Sequence, residues 1–594
     1  MLACCSLQLF AKPARPGFFP YTQPDGTTVL IQRHGDEWGH WTTNSQGQVV
    51  RRDAEGFYRV VEGMDVALAK NLASVRQKAR RQLMNAERSA APIATGQKHF
   101  LLVLVEFSDL SFKIDNPRQA IQDMLNQEGY SQNGATGSAR DYYYENSHGS
   151  FEPVFDVFGP VKLGKKMSYY GENDDQGSDD KAHEAVRDAC KKLDDSVNFA
   201  DYDLDGDGKV DLVYMIYAGK GEADGGSEDS IWPHQWYLYS GGGISLVLDG
   251  KRIDRYACGP ELDGRGKLDG IGTICHEFGH AMGMPDFYDT DYSTNGTCRT
   301  LGSYSLMDSG CYNNSGWTPP YLNFEERMCL GWLTESDLPT LSANGEYSLA
   351  PINENEAYKS LTDMEGEYFL YESRGSGKWD KHVPAAGLVV YHVDKSSRMV
   401  KIMAGESYTY SVSAADLWSK WEQSNAINEN GSHPCFYIVA SGAPEDIMYG
   451  MTYSATYGYY FNSTYYASLP FPGSKQVTQF QAVSWNGVES DGYLTDIAYA
   501  AGRVSFRLRG LGANKLDYPL IYNPGKGKYS AGDAFALRLE LPDNYPVESV
   551  QWSLDGNPVS RESVTLSAGA HIIEAEVLNG EGKKAIITLE VVAE

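Results

Sequence analysis

His276 and His280 stand four residues apart, a spacing that turns both imidazoles to one face of a helix, where they can reach a single ion. Glu277, beside the first of them, is placed to take a proton from an attacking water. The surrounding IGTICHEFGHAMGM has no interior proline, and Ile271, Ile274, Phe278 and Met282 mark its packed side, so the spacing predicts a helix. Gly283 follows His276 by seven residues and Asp286 by ten, which extends the pattern to HExxHxxGxxD. The glycine lets the backbone turn sharply and can return Asp286 to the ion as third ligand. The chemistry of such a set is zinc-assisted peptide hydrolysis, with Glu277 as general base and no covalent acyl-enzyme.

A glutamate from a later helix is the rival third ligand, and Glu325 or Glu326 in NFEERM stands at a workable distance. SYSLMDSG (303–310) places Met307 in a turn about twenty residues after Asp286. Zinc peptidases of the metzincin type carry such a Met-turn beneath the metal, which favours Asp286. An anionic third ligand lowers the positive charge of the site and leaves more of the activation to Glu277.

A second metal is suggested by DYDLDGDGKVD (201–211). Asp203, Asp205 and Asp207 occupy positions 1, 3 and 5 of a calcium loop, Gly208 makes the turn, Lys209 can give its carbonyl, and Asp211 falls at position 9. Position 12 is Tyr214 and not a bidentate Glu, and LVYMIYAG reads as a strand, so this is a calcium loop feeding a strand. His234 in IWPHQW can line a cleft or pack among aromatics. His392 and Asp394 alternate on a strand and read as structural. Tyr304 and Tyr321 are both candidates to stabilise an oxyanion.

These residues need a scaffold, and 594 residues exceed what one hydrophobic core supports, so three to four domains are expected. MLACCSLQLFA (1–11) reads as the tail of a signal peptide, which places the protein outside the cytoplasm: secreted, periplasmic or on a bacterial surface. Short alternating segments and a basic helix, roughly Lys70 to Arg88, fill 12–97 and suggest a propeptide cut near 85–97. FLLVLVEF (100–107) opens the main domain (98–334), a helix runs to about Asn126, and 151–161, 182–193 and 212–219 read as strand, helix and strand. That alternation indicates an α+β peptidase domain. A β-rich accessory domain (335–512), with its densest tyrosines at 449–466, and an immunoglobulin-like β-sandwich (513–594) follow. The fold class is therefore multidomain: a metzincin-like α+β zinc peptidase flanked by β-rich units.

The net charge of −28 argues against nucleic acid and anionic membrane as partners. No apolar run approaches the ~20 residues of a transmembrane helix. Seven cysteines beyond residue 11 match no zinc ribbon and leave both disulfides and free thiols open.

The pieces HEFGHAMGMPDFYD (276–289), SLMDSG (305–310), PPYLNFEERMCLGW (319–332), DLDGDGKVDLVYMIYAG (203–219), IWPHQW (231–236) and YFLYESRGSGKWD (368–380) with VPAAGLVVYHVD (383–394) together resemble the immune inhibitor A family of secreted bacterial metalloproteases. The resemblance spans about 100–395 and implies a zinc endopeptidase made as a zymogen, with ligands falling on His276, His280 and Asp286. No cysteine lies between Lys12 and Gln97, which excludes a cysteine-switch latency. Protein or peptide substrates and a monomer are expected. The alternative is a surface glycan- or protein-binding module with an incidental metal site; an intact Glu277 counts against it, because a binding module needs no base beside the metal.

Overall fold

The computed structural model describes residues 12–594 apart from 37–38, 84–93, 174–178, 180, 293–295, 376, 404–408, 443–450, 455–457, 462–466, 512–518, 524–527, 543–544 and 581–583. The expected leader (1–11), most of the expected cut region and the side chains of the 449–466 tyrosine stretch lie outside the described residues.

The chain opens with a meander of five strands, Phe19–Thr22, Thr28–Asp36, Gly39–Asn44, Val49–Arg52 and Tyr58–Val60, each antiparallel to the next. The helix Val66–Leu83 follows. This unit sits on the main domain through charge: Arg33 reaches Glu222 at 3.1 Å with both side chains fully buried, and Arg52 reaches Asp229 at 2.7 Å.

The main domain is built on a five-stranded sheet in the order His234–Tyr237, Arg255–Leu262, Val213–Lys220, Gly96–Glu106, Phe151–Lys162. The first pairing is antiparallel and the other three are parallel. Alternate side chains of the strand Gly96–Glu106 serve two cores: Phe100, Leu102 and Leu104 face one layer of helices, and Leu101, Val103 and Val105 face the other. A continuous apolar run is what a strand needs when both faces of its sheet are covered. Helix Ala182–Leu193 covers one face with Ala185, Val186 and Ala189, and helix Ile271–Met282 covers the other with Ile274, Phe278 and Ala281.

The accessory region is not a detached body. Its four-stranded antiparallel sheet, Tyr358–Leu361, Glu367–Arg374, Gly387–Asp394 and Phe436–Val439, buries both faces. Tyr368, Leu370, Val389 and Tyr391 join the core beneath helix Ile271–Met282, while Phe369, Tyr371, Leu388 and Val390 pack on a second sheet of three strands. The hydrophobic core therefore runs without a break across the boundary read from the sequence at 334. Beyond 520 a separate β-rich unit has a core of its own around Phe535, Ile573 and Ile587. Among the described residues, Cys190, Cys258, Cys275, Cys298, Cys311, Cys329 and Cys435 are all free thiols. Among the described residues no helix is long and apolar enough to cross a membrane.

Phe278 carries the helix of the histidines onto the sheet: its ring lies 4.8 Å from Phe100, 5.1 Å from Tyr143 and 5.3 Å from Phe155, centre to centre, in edge-on pairs. Truncation to alanine removes these contacts and leaves a cavity, at a cost of roughly 3–5 kcal/mol. Phe278→Ala should lower the unfolding midpoint of the main domain in a urea titration followed by tryptophan fluorescence, and an unchanged midpoint would deny this cluster its supporting role.

Candidate metal centre

Helix Ile271–Met282 starts and stops on glycines for steric reasons. A Cβ on Gly270 would lie 2.2 Å from the Gly316 carbonyl carbon, and one on Gly272 would lie on the Cys311 carbonyl oxygen, so the 309–316 loop packs directly on the helix backbone. At the other end Gly283 takes φ 110°, and the Gly283 and Met284 amides close back on the last turn. The chain reverses there and brings Asp286 beneath the two histidines.

His276 Nδ1 lies 2.9 Å from the Leu306 carbonyl and His280 Nδ1 lies 2.8 Å from the Met284 carbonyl. A carbonyl only accepts, so each Nδ1 carries the hydrogen and each Nε2 presents its lone pair. Those two Nε2 atoms lie 3.1 Å apart, and Asp286 Oδ1 lies 3.3 Å from both. Asp286 Oδ1 is buried without a hydrogen-bond partner. Two buried imidazole nitrogens and a buried carboxylate oxygen that converge make a donor set that fits a divalent zinc ion.

Asp286 is itself held. Asn425 donates from Nδ2 to Asp286 Oδ2 at 2.7 Å and accepts the Asp286 amide at 3.1 Å, which leaves Oδ1 pointing at the histidines. Trp421 stacks near His280 at 6.4 Å. Met307 lies under the helix, where a Cβ on Gly279 would come within 3.0 Å of its sulfur. Glu326 is engaged elsewhere, accepting from Ser305 Oγ at 2.6 Å and capping its own helix at Asn323, and Glu325 meets Tyr368 and Lys395. The structure thus brings Asp286 to the histidines and neither glutamate.

Glu277 is fully buried, and burial pushes its carboxyl up to about 8 against the pull of His276 and of a backbone amide. That amide belongs to Lys12, whose N–H donates to Glu277 Oε1 at 3.0 Å. Trp232 Nε1 holds the Lys12 carbonyl at 3.0 Å and the Tyr312 hydroxyl holds the Pro13 carbonyl at 2.5 Å. Glu277 Oε2 is left buried without a partner.

In the acidic loop, carboxylate oxygens of Asp203, Asp205 and Asp211 lie within 4.8 Å of one another. Asp207 is not part of that group: it is exposed, and its carboxylate accepts the Lys209 amide at 2.8 Å. His234 is buried between the Trp232 carbonyl and the Tyr256 hydroxyl, and His392 between Tyr437 and Glu367. Asp394 accepts from His433 at 2.7 Å. The Tyr304 hydroxyl donates to the Ala385 carbonyl, and the Tyr321 carbonyl accepts from Arg374. Lys12, Trp232, Tyr312 and Asn425 were missed in the sequence, since each is tied to the centre only by a long-range contact.

Residues 94–324 match the family model for the immune inhibitor A peptidase M6 catalytic domain. The chain is similar to the pre-pro-metalloprotease PrtV of Vibrio cholerae, at 30% identity over 239 residues, which is 34% of this chain and 24% of that protein. It is also similar to immune inhibitor A of Bacillus thuringiensis subsp. alesti, at 29% identity over 266 residues, 37% of each chain. The chain thus spans well under half the length of these relatives. Among solved structures, OgpA from Akkermansia muciniphila aligns over 85% of this chain and 94% of its own, at 11% identity and a TM-score of 0.20, a likeness too loose to carry an argument.

If Asp286 completes the centre, Asp286→Ala should collapse zinc affinity while Glu326→Ala keeps near-stoichiometric metal. Elemental analysis of the two purified variants checks this, and the reverse result would move the third ligand to the later helix.

Proposed function

We propose that this chain, whose residues 94–324 match the immune inhibitor A peptidase model, is a secreted zinc-dependent endopeptidase made as a zymogen. The observation that carries the reading is the convergence of His276 Nε2, His280 Nε2 and Asp286 Oδ1, all buried, beside the buried carboxyl of Glu277. His276, His280 and Asp286 would hold the ion, with Met307 as the turn beneath it in a metzincin-like arrangement. A zinc ion bound there supplies Lewis-acid polarisation of the scissile carbonyl. Glu277 takes a proton from the attacking water and returns it to the leaving nitrogen as the C–N bond breaks. A carboxyl whose affinity for protons is raised by burial suits both halves of that exchange.

The zymogen reading is supported by Lys12. Its amide occupies Glu277 Oε1, so the base is blocked for as long as the N-terminal unit stays docked. A relative named a pre-pro-metalloprotease fits a leader at 1–11 and a pro-segment over 12–97. The 335–512 region and the immunoglobulin-like unit beyond it are read as non-catalytic parts of a monomer.

Glu277→Gln keeps the shape and a hydrogen bond but removes the proton acceptor. The matured, zinc-loaded variant should bind metal as wild type does while casein hydrolysis falls by about 10²–10⁴. Wild-type rates from the metal-replete variant would overturn this assignment of the base. Failure of matured wild type to cut any of a broad set of peptides would favour a binding module.

Calcium is the proposed second ion, held by Asp203, Asp205 and Asp211. Asp203 Oδ1 is buried without a partner, and burial pushes the Asp211 carboxyl up to about 6. Neighbouring carboxylates repel unless a cation neutralises them, so calcium should raise the melting temperature. Asp205→Ala should blunt that rise, and an unchanged calcium response would remove the loop from the account.

A further inference from the structure

Lys12 is 1% exposed, and both its backbone and its side chain are held by the main domain. Its ammonium donates to Thr273 Oγ1 at 2.6 Å and lies 4.1 Å from the centre of the Tyr312 ring. Thr273 Oγ1 donates in turn to Asp269 Oδ2 at 2.6 Å. Asp269 is 6% exposed and its other oxygen accepts the Gly270 amide at 3.0 Å. Burial raises the Asp269 carboxyl, and the Lys12 ammonium is the strongest of the charges pulling it back. A carboxylate at that depth calls for a cation, and an aromatic face with a hydroxyl relay provides a seat for one.

The position of this pocket along a substrate follows from the chemistry proposed for Glu277, and the inference rests on that reading. In hydrolysis water adds to the carbonyl carbon, the C–N bond breaks, and the departing nitrogen receives its proton from Glu277. The backbone nitrogen seated on Glu277 is that of Lys12. The side chain of Lys12 therefore lies where a substrate places the side chain of the residue that follows the scissile bond. The next residues run on as an extended ligand, with the Pro13 carbonyl held by Tyr312, the Arg15 amide by the Ala223 carbonyl at 2.9 Å, and the Arg15 guanidinium by Asp224 at 3.0 Å.

We propose that Asp269, Thr273 and Tyr312 form the subsite for the residue on the amine side of the scissile bond and select a basic side chain there, lysine above all. In the latent chain Lys12 fills that subsite; once the N-terminal unit leaves, a substrate lysine takes its place. Asp269 is the specificity-determining group, acting through Thr273.

The test uses the full chain purified with zinc and matured by release of its N-terminal unit. Internally quenched peptides differ only in the residue after the scissile bond: Lys, Arg, Leu or Glu. The Lys peptide should be cut with kcat/KM at least tenfold above Leu, and Glu should be poorest. Asp269→Asn should bring the Lys-to-Leu ratio close to one, and Asp269→Glu should restore part of it. Because the ratio is taken within one preparation, a partly misfolded variant does not mimic this result. Equal cleavage of Lys, Leu and Glu, or a ratio indifferent to Asp269→Asn, would overturn the subsite while leaving the endopeptidase reading intact. No cleavage of any peptide by wild type would sink both.

Discussion

Two imidazole lone pairs facing each other across 3.1 Å, with a buried carboxylate oxygen beside them, constitute an arrangement that a folded chain holds only by force of its surroundings. Each ring is fixed by a carbonyl on its far nitrogen, from Leu306 and Met284, and both carbonyls depend on sharp turns. Gly283 supplies one of those turns with a backbone conformation that side chains avoid. The 302–316 loop supplies the other and packs so closely that Gly270 and Gly272 cannot carry a Cβ. The sheet and its aromatic cluster then keep the helix still. Local pre-organisation of this kind is what a metal-binding set requires, because an ion repays only a geometry that already exists.

The N-terminal unit meets that rigid centre through contacts of a different character. Ion pairs are prominent among its anchors, and the Arg33–Glu222 pair is fully buried, with the Tyr58 hydroxyl and the Gly226 carbonyl as further partners of Arg33. A buried ion pair gains little net energy over two solvated charges, since desolvation consumes most of the attraction. It does punish misplacement severely. Such pairs fix the pose of the unit on the main domain more than they add to its stability.

The local part of the centre was legible in the sequence. Spacing alone predicted the helix, the glycine turn and the return of Asp286, and the apolar run at 100–107 announced a strand covered on both faces. Patterns with periods of two or four residues encode such features directly. What spacing cannot encode is the meeting of Lys12 with Glu277 across 265 positions, or of Asp286 with Asn425 across 139. Asn425 sits in a short polar stretch with φ 39°, and nothing in its neighbours marks it as more than a turn residue. The acidic loop was legible as a run of four aspartates at calcium-loop positions; the carboxylates of Asp203, Asp205 and Asp211 lie together, while Asp207 accepts the Lys209 amide.

The peptidase family match ends at residue 324, yet the polypeptide that makes the centre rigid does not. Asn425 grips Asp286, Asn428 donates to the Phe287 carbonyl at 2.8 Å, and Thr290 donates to the Asn425 carbonyl at 2.7 Å. Phe287 is wedged against Trp418 and Phe436. The stretch that matches the family and the stretch that shares one core are thus different. A gene fragment cut at the family boundary would encode every expected metal ligand and lack the scaffold that aims one of them. The downstream region is in this sense the far wall of the candidate metal centre, and its asparagines are the part of that wall that touches the centre.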